Sequence, residues 1–172
     1  MGHDPAEAIS IRPACPADEA VVAELLKASY APLMAPFYEA EALAAVLPAM
    51  TRANPHLLAS GTYYLALDFS GQAVGCGGWT RARPGDGEVV PGLAHLRHFG
   101  THPDWVRRGV GRALCRRCAE EAAAQGVRRL QVYASLNAQT FYGAQGFRVL
   151  RPVTLPFGPE ASLPAVLMEC AL

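Results

Sequence analysis

A glycine-rich turn in the middle of the chain is the segment best suited to bind a charged ligand. Residues 101–114, THPDWVRRGVGRAL, place Gly109 and Gly111 where a predicted strand ends and a predicted helix begins. N–H groups at a helix N-terminus lack partners, the helix dipole is positive there, and glycines allow close approach to the main chain. Arg108 and Arg112 add positive charge. The segment predicts an anion-binding turn, the alternative being a tight turn with a solvated basic face. It matches neither a Walker P-loop nor a Rossmann fingerprint.

The cysteines are predicted to be structural. There are five of them, an odd count without a paired framework. Cys115 and Cys118 form a CxxC, but no second such pair exists to complete a zinc site, and their spacing in an apolar helical pattern favours a core position. Cys76 has no basic neighbour to lower its pKa, which argues against a nucleophile that carries an acyl group. No metal site is predicted.

Composition excludes several classes of protein. The 172 residues carry 15 Lys plus Arg and 15 Asp plus Glu, so the formal net charge is zero, and 51% of the residues are hydrophobic. This length predicts a single domain over residues 1–172. The zero charge argues against a nucleic-acid partner, and no run of 18 apolar residues predicts a membrane span. The first 13 residues show no secretory signal, so we expect a cytoplasmic protein.

Strands and helices alternate along the chain. Strands are predicted at residues 9–12, 62–67, 73–80, 93–101, 129–134, 147–153 and 163–170. Helices are predicted from residue 16, over 39–52 with a kink or break at Pro48, from residue 110 with Gly126 after its end, and over 137–145. Residues 83–92 are predicted to form a loop. The pattern predicts an α/β or α+β fold with a mixed sheet.

Four segments, in the same order as in the family, resemble the GCN5-related N-acetyltransferases (GNAT). Residues 106–111, VRRGVG, resemble the family's [Q/R]xxGx[G/A] motif, with Val106 where Gln or Arg is usual. The other three are ISIRPACPADEAVVAELL, GQAVGCGGW and LNAQTFYGAQGF. The resemblance covers nearly the whole chain and implies a central mixed, mostly antiparallel sheet of about six to seven strands flanked by about four helices.

The resemblance also implies roles for particular residues. The main chain of Phe99, Gly100 and Thr101 would hydrogen-bond the pantetheine arm of acetyl-CoA. Asn137 would contact the same arm, with a helix N-cap as the alternative, because it is five residues from Tyr142 where the family commonly has seven. Tyr142 would stand at the thioester sulfur, with a core aromatic as the alternative. The pyrophosphate would lie on Arg107, Arg108, Gly109, Val110, Gly111 and Arg112.

The implied reaction is attack of a primary amine on the acetyl thioester, which needs a proton acceptor. An alkylamine with a pKa near ~10 is only about 0.1% neutral at pH 7. The strand 93–101 has no Asp or Glu, and His95 occupies the position of the Glu that some relatives carry. A histidine with a pKa near ~6.5 is a competent base. The alternatives are His98 and a water chain that reaches Glu39, Glu41 or bulk solvent.

The leading hypothesis is therefore an acetyl-CoA-dependent N-acetyltransferase that acts on a small-molecule amine in a ternary complex. One alternative is acetylation of a protein N-terminus or lysine, and another is a regulatory CoA-binding domain without turnover. We expect no metal, no nucleic acid and no membrane partner, and the sequence leaves open whether two copies form a homodimer.

Overall fold

The computed structural model describes residues 8–172, and the segment 1–7, part of the region searched for a secretory signal, lies outside the described residues. The strands are β1 Ser10–Pro13, β2 Tyr63–Leu67, β3 Ala73–Thr80, β4 Leu93–Thr101, β5 Arg129–Ser135, β6 Arg148–Pro156 and β7 Ser162–Ala171. The helices are α1 Glu19–Met34, α2 Ala40–Met50, α3 Pro55–Ala59, α4 Val110–Ala124 and α5 Gln139–Ala144.

The seven strands form one mixed sheet in the order β1-β2-β3-β4-β5-β7-β6. All neighbours are antiparallel except β4 and β5, which are parallel and are connected through α4. A parallel connection needs a crossover, and the amphipathic α4 supplies it by burying Val110, Leu114 and Cys118 against the sheet. The predicted α/β class with a mixed sheet is confirmed.

Strands β4 and β5 are hydrogen-bonded only over their first three residues. The register pairs Leu93 with Arg129 and ends at His95 opposite Gln131. Beyond that point β5 continues beside β7, while β4 continues beside β3. The two central strands therefore diverge, which opens a cleft at their carboxyl ends, the edge at which ligands bind in open α/β sheets.

A β-bulge interrupts β4 beside this cleft. Cys76 of β3 pairs with Gly100, whereas Gly78 pairs with Arg97, so His98 and Phe99 together oppose the single residue Gly77. His98 has a φ of 53°, a left-handed conformation that is uncommon for a residue other than glycine. Because side chains of a regular strand alternate between faces, the extra residue brings two consecutive side chains to one face.

Helices cover both faces of the sheet. On one face α4 and α5 bury a core that includes Leu114, Cys118 and Tyr142. On the other face α1, α2 and α3 bury two smaller clusters around Leu26 and Val46. Both faces are therefore closed near the strand centres, and the cleft between β4 and β5 runs between the two helical layers.

Most predicted elements lie within a few residues of the observed ones, with three differences. Helix α2 is not split, since it runs through Pro48 to Met50. The sequence analysis missed α3, which Asn54 begins by accepting a hydrogen bond from the amide of His56. The predicted loop 83–92 contains a small hairpin, closed by a bridge between Ala82 and Val89. Within residues 8–172, every helix is too short or too polar to span a bilayer.

Candidate active site

One large cavity, about 1350 Å³ in volume, occupies the cleft between β4 and β5. We call the part of the lining that comes from the turn before α4, residues 99–101 of β4 and residues 137–144 its first half. We call the part that comes from α1, residues 49–57, the 83–86 hairpin, residues 96–98 of β4, β5 and the β6–β7 hairpin its second half. A small-molecule pocket is typically about 300–1,000 Å³. The cavity thus has room for a pantetheine arm and a second small ligand.

The turn before α4 has the backbone geometry of an anion site. Gly109 is the N-cap of α4 with a φ of 81°, and Arg107 has a φ of 60°. Left-handed residues in such a turn direct consecutive N–H groups to one side, and the helix dipole is positive there. Of the residues predicted to hold pyrophosphate, five line the cavity: Arg107, Gly109, Val110, Gly111 and Arg112. A Cβ at Gly111 would stand 3.0 Å from Cζ of Phe141, so this position is also tightly packed.

Arg108 differs from its neighbours in the turn. Its guanidinium carbon lies 4.9 Å from the centroid of the Trp105 ring, a cation–π arrangement. Arg108 is not among the residues that line the cavity, whereas Val106 is. The turn therefore offers main-chain N–H groups and the side chains of Arg107 and Arg112, with Arg108 stacked on the adjacent 3₁₀ turn.

The end of β4 lines the cavity with main-chain groups that already have partners on α1. The hydroxyl of Tyr30 donates to the carbonyl of Phe99 at 2.8 Å, and the amide of Thr101 donates to Oγ of Ser29 at 3.1 Å. These are two of the groups predicted to bind pantetheine. A ligand that pairs with them must displace or share the α1 hydroxyls. Gly100 lies between them, where a Cβ would be 3.1 Å from Leu26.

Asn137 lies in a 3₁₀ turn at the carboxyl end of β5 and lines the cavity. The N-cap of that turn is Ser135 and the N-cap of α5 is Ala138, so the helix-cap alternative for Asn137 is wrong. Its Oδ1 is buried without a hydrogen-bond partner among the described residues. A buried acceptor left unpaired costs about 1–3 kcal/mol. A ligand N–H, such as an amide of a pantetheine arm, would remove this cost.

Tyr142 of α5 lines the cavity from the face opposite α1. Its ring contacts Phe99, Phe141 and Phe147 edge-on, with centroid distances of 6.2, 5.0 and 5.6 Å. Burial raises the pKa of the hydroxyl well above its ordinary value, so it stays protonated throughout the neutral range. The hydroxyl makes no hydrogen bond to any residue that the structure describes, and it is free to donate to a ligand.

His95 lies within the sheet and does not line the cavity. The residue is 1% exposed, and its Nδ1 has no hydrogen-bond partner within residues 8–172. Burial, with the nearby guanidinium groups of Arg97 and Arg83, lowers the pKa of its imidazole to about 4.

His98, at the bulge, does line the cavity. Its Nε2 lies 2.6 Å from the carbonyl oxygen of Met50 at the end of α2. A carbonyl only accepts, so Nε2 must carry the proton, and in the neutral ring Nδ1 then has the free lone pair. Burial lowers the pKa of the imidazole, an effect that the Met50 carbonyl opposes and Arg97 reinforces. The ring is therefore mainly neutral at pH 7, with one nitrogen able to accept a proton.

The second half of the cavity carries positive charge that the sequence analysis did not identify. Arg52, Arg83 and Arg97 line it, and Asp86 is the only acidic residue that lines the cavity anywhere among the described residues. Arg83 forms ion pairs with Asp86 and Glu88. The Arg83 guanidinium and the amide of Glu88 both donate hydrogen bonds to the Asp86 carboxylate and hold its pKa below the usual range. No motif marked these arginines, because they come from three separate segments: the α2–α3 connection, the β3–β4 connection and the bulged part of β4.

The cysteines contribute nothing to the cavity lining. Cys76 is fully buried, and burial raises the pKa of its thiol to about 12. Cys115 and Cys118 are in the core between α4 and the sheet, as predicted. No group of three His, Cys, Asp or Glu side chains within residues 8–172 is arranged to hold a metal ion.

Comparison with known proteins identifies the class of enzyme to which this site belongs. The sequence model of the acetyltransferase (GNAT) domain matches residues 34–170. A GCN5-related N-acetyltransferase from Rhodopseudomonas palustris is 28% identical with a TM-score of 0.76, covering 95% of both chains. One from Kribbella flavida is 26% identical with a TM-score of 0.61, covering 97% of this chain and 99% of the other. None of the curated protein sequences is similar enough to count as a match.

The chain therefore belongs to the GNAT acetyltransferase family and is an acyltransferase. The family uses acetyl-CoA, and the unpaired Oδ1 of Asn137 and the turn at 107–112 fit such a ligand. A PaiA N-acetyltransferase from Thermoplasma acidophilum, in complex with coenzyme A, shares the fold at 15% identity with a TM-score of 0.71, covering 95% of this chain and 99% of the other.

Proposed function

We propose that this protein transfers the acetyl group of acetyl-CoA directly to the primary amine of a small molecule, with both substrates bound at once in a single domain. The observation that supports this most strongly is the continuity of the cavity. The turn at 107–112, with Asn137 and Tyr142, bounds one half, and His98 bounds the half lined by α1, α2 and the β6–β7 hairpin. Direct transfer needs donor and acceptor in one enclosure, with their reacting atoms about 3–3.5 Å apart.

In this proposal the pyrophosphate lies on the N–H groups of Gly109, Val110 and Gly111, between Arg107 and Arg112. The pantetheine arm follows β4 and receives a hydrogen bond from Thr101 in place of the one Thr101 now makes to Ser29. The side chain of Asn137 accepts a hydrogen bond from the same arm. When bound, acetyl-CoA supplies an acetyl carbon activated as a thioester.

Two side chains of the protein move the protons. His98 Nδ1 accepts the proton that the amine loses as its nitrogen bonds to the acetyl carbon. Tyr142 donates its hydroxyl proton to the sulfur that leaves as the carbon–sulfur bond breaks. The proton held by His98 then returns to Tyr142 through solvent, so the net change is one proton moved from the amine to the thiol and both residues are restored. We assign the base role to His98 in place of His95, because only His98 lines the cavity and has a free nitrogen there. No cysteine lines the cavity, which supports direct transfer over a covalent acyl-enzyme.

The test is a direct assay of turnover. Purified protein is incubated with acetyl-CoA and a broad panel of small primary amines, thiol release is followed, and acetylated products are identified by mass spectrometry. We expect amine-dependent thiol release with one acetylated small molecule per thiol. Acetylation of peptide N-termini or lysines alone would favour the protein substrate, and CoA binding without turnover on any amine would make the protein a CoA-responsive regulator.

A further inference from the structure

The second half of the cavity holds a guanidinium group that has no acidic partner within residues 8–172. Arg97 of β4 is half-buried and lines the cavity. Its hydrogen bond to a described residue runs from Nη1 to Oγ1 of Thr80, at 2.9 Å. A guanidinium has five N–H donors, and burying it without a counter-charge is unfavourable. The arrangement leaves most of its donors available to a ligand.

Two hydrogen bonds in series orient the Arg97 side chain. The hydroxyl of Thr80 accepts from Arg97 and itself donates to the carbonyl of Ala82 at 2.8 Å. The chain from Arg97 through Thr80 to Ala82 ties the guanidinium to the start of the β3–β4 hairpin. A fixed guanidinium loses less conformational entropy when it binds a planar anion with two hydrogen bonds.

The charges around Arg97 leave its positive charge unneutralised. Arg83, which lines the same cavity, already has Asp86 and Glu88 as partners. Arg52, also in the lining, is exposed and forms no ion pair with the described part of the chain. Among residues 8–172, Asp86 is the only acid in the lining. This half of the cavity is therefore complementary to a ligand that brings its own negative charge.

The bulge brings Arg97 and His98 into the lining of the same cavity. In a regular strand two consecutive side chains would face opposite ways, but the left-handed His98 lets both line the cavity. One small molecule can therefore present its amine to His98 and a negative charge to Arg97.

From this arrangement we infer that the acceptor is an amino acid: a small molecule that carries both a carboxylate, bound by Arg97, and the amine that becomes acetylated. The inference rests on the proposed function. Arg97 is a binding residue for the acceptor and does not contact the transferred group. We expect its charge-assisted hydrogen bonds to give the acid a preference of roughly 10- to 100-fold, which corresponds to about 1.4–2.8 kcal/mol.

The experiment compares acids with matched neutral amides. Glycine, β-alanine and γ-aminobutyrate are assayed beside their carboxamides, and kcat/KM is calculated on the concentration of neutral amine. We expect at least one acid to exceed its amide by about 10-fold or more. In Arg97→Gln the preference should disappear through a higher KM for the acid, with kcat and the kinetics of the amide little changed. Arg116→Gln, on the exposed side of α4, is the control and should keep the preference.

Two further measurements distinguish a failure of this inference from a folding defect and from a failure of the proposed function. Arg97→Lys keeps the charge but loses the planar fork, and we expect it to retain only part of the preference. If no amine is acetylated, the proposed function fails, but calorimetric binding of each acid to CoA-saturated wild type and Arg97→Gln still tests the carboxylate site. Equal use of acids and amides by the wild type, or preferential use of aminoalkylphosphonates over the acids, would overturn the inference.

Discussion

Three side chains in the cavity lining have polar atoms without a hydrogen-bond partner among the described residues, and these atoms are available to a ligand. Tyr142 has aromatic neighbours and no hydrogen bond from the described residues, so its hydroxyl remains protonated and available. His98 has one nitrogen bonded to a carbonyl and the other free. Asn137 has a buried oxygen without a donor. Each is an incomplete hydrogen-bonding group at the surface of one cavity, as expected of residues that complete their bonding with substrate.

Removing the Tyr142 hydroxyl should slow turnover without weakening CoA binding. We expect Tyr142→Phe to lower kcat by roughly 10- to 1,000-fold, because the departing sulfur loses its proton donor while the ring stays packed. The measurements are steady-state kinetics and the Kd for CoA. Tyr133→Phe, which removes a hydroxyl from β5 in the same cavity lining, is the matched control. Full activity in Tyr142→Phe would reduce Tyr142 to a packing residue.

The two histidines of β4 should differ in their effect on the pH profile. Protonation of His98 removes the base, so activity on neutral amine should fall as the pH drops through its pKa, which burial lowers below ~6.5. We expect His98→Gln to lose this acidic limb and about 100-fold or more in rate. His95→Gln should keep the limb and most of the rate. Loss of the limb in His95→Gln alone would return the base role to His95.

Helix α4 and the strands beside it create the ligand site through their ends. The divergence of β4 and β5 after His95 opens the cleft, and the left-handed turn at Arg107 and Gly109 presents the helix N-terminus to it. The opposite end of α4 is closed by Gly126, with a φ of 85° and no atom within 4 Å of a built Cβ. The helix thus has a left-handed glycine at each end, but only the first lies at the cavity.

These two glycines allow backbone strain to be separated from ligand binding. An alanine in a left-handed conformation costs about 1–2 kcal/mol, so Gly109→Ala and Gly126→Ala should lower the free energy of unfolding by similar amounts. Only Gly109→Ala should weaken CoA binding, by about 10-fold or more, because its turn carries the N–H groups of the anion site. The measurements are urea unfolding and CoA calorimetry. Equal CoA affinities in the two variants would contradict the proposed pyrophosphate site.

Helices cover both faces of the sheet and bury His95, and this buried imidazole should make the free energy of unfolding depend on pH. The unfolded chain protonates His95 near pH ~6.5, whereas the folded protein does so only near pH 4, so the unfolded state binds more protons between these values. Stability should therefore fall as the pH drops through this window, by about 3 kcal/mol from His95. The contribution of Asp18, whose pKa is lowered by the Arg12 guanidinium, is lost at lower pH.

Urea unfolding at pH 7, 6, 5 and 4.5 measures this dependence. His95→Gln should be less stable at pH 7 because it leaves a polar group buried, but its stability should change less over the window. If the free energy of unfolding of His95→Gln changes with pH as steeply as that of the wild type, His95 is already protonated, or accessible to solvent, in the folded protein.

Local sequence was sufficient to predict the class of fold, the order of most of its elements and the glycine turn at which α4 begins, because periodicity, turn residues and glycine preferences act over a few residues. The four family-like segments likewise identified the GNAT family. Which histidine of β4 lines the cavity could not be predicted from the strand pattern alone, since the single-residue bulge at His98 shifts which side chains face it. The same bulge lets Arg97 line the cavity. Such register changes depend on pairing between strands distant in sequence, and only the tertiary structure decides them.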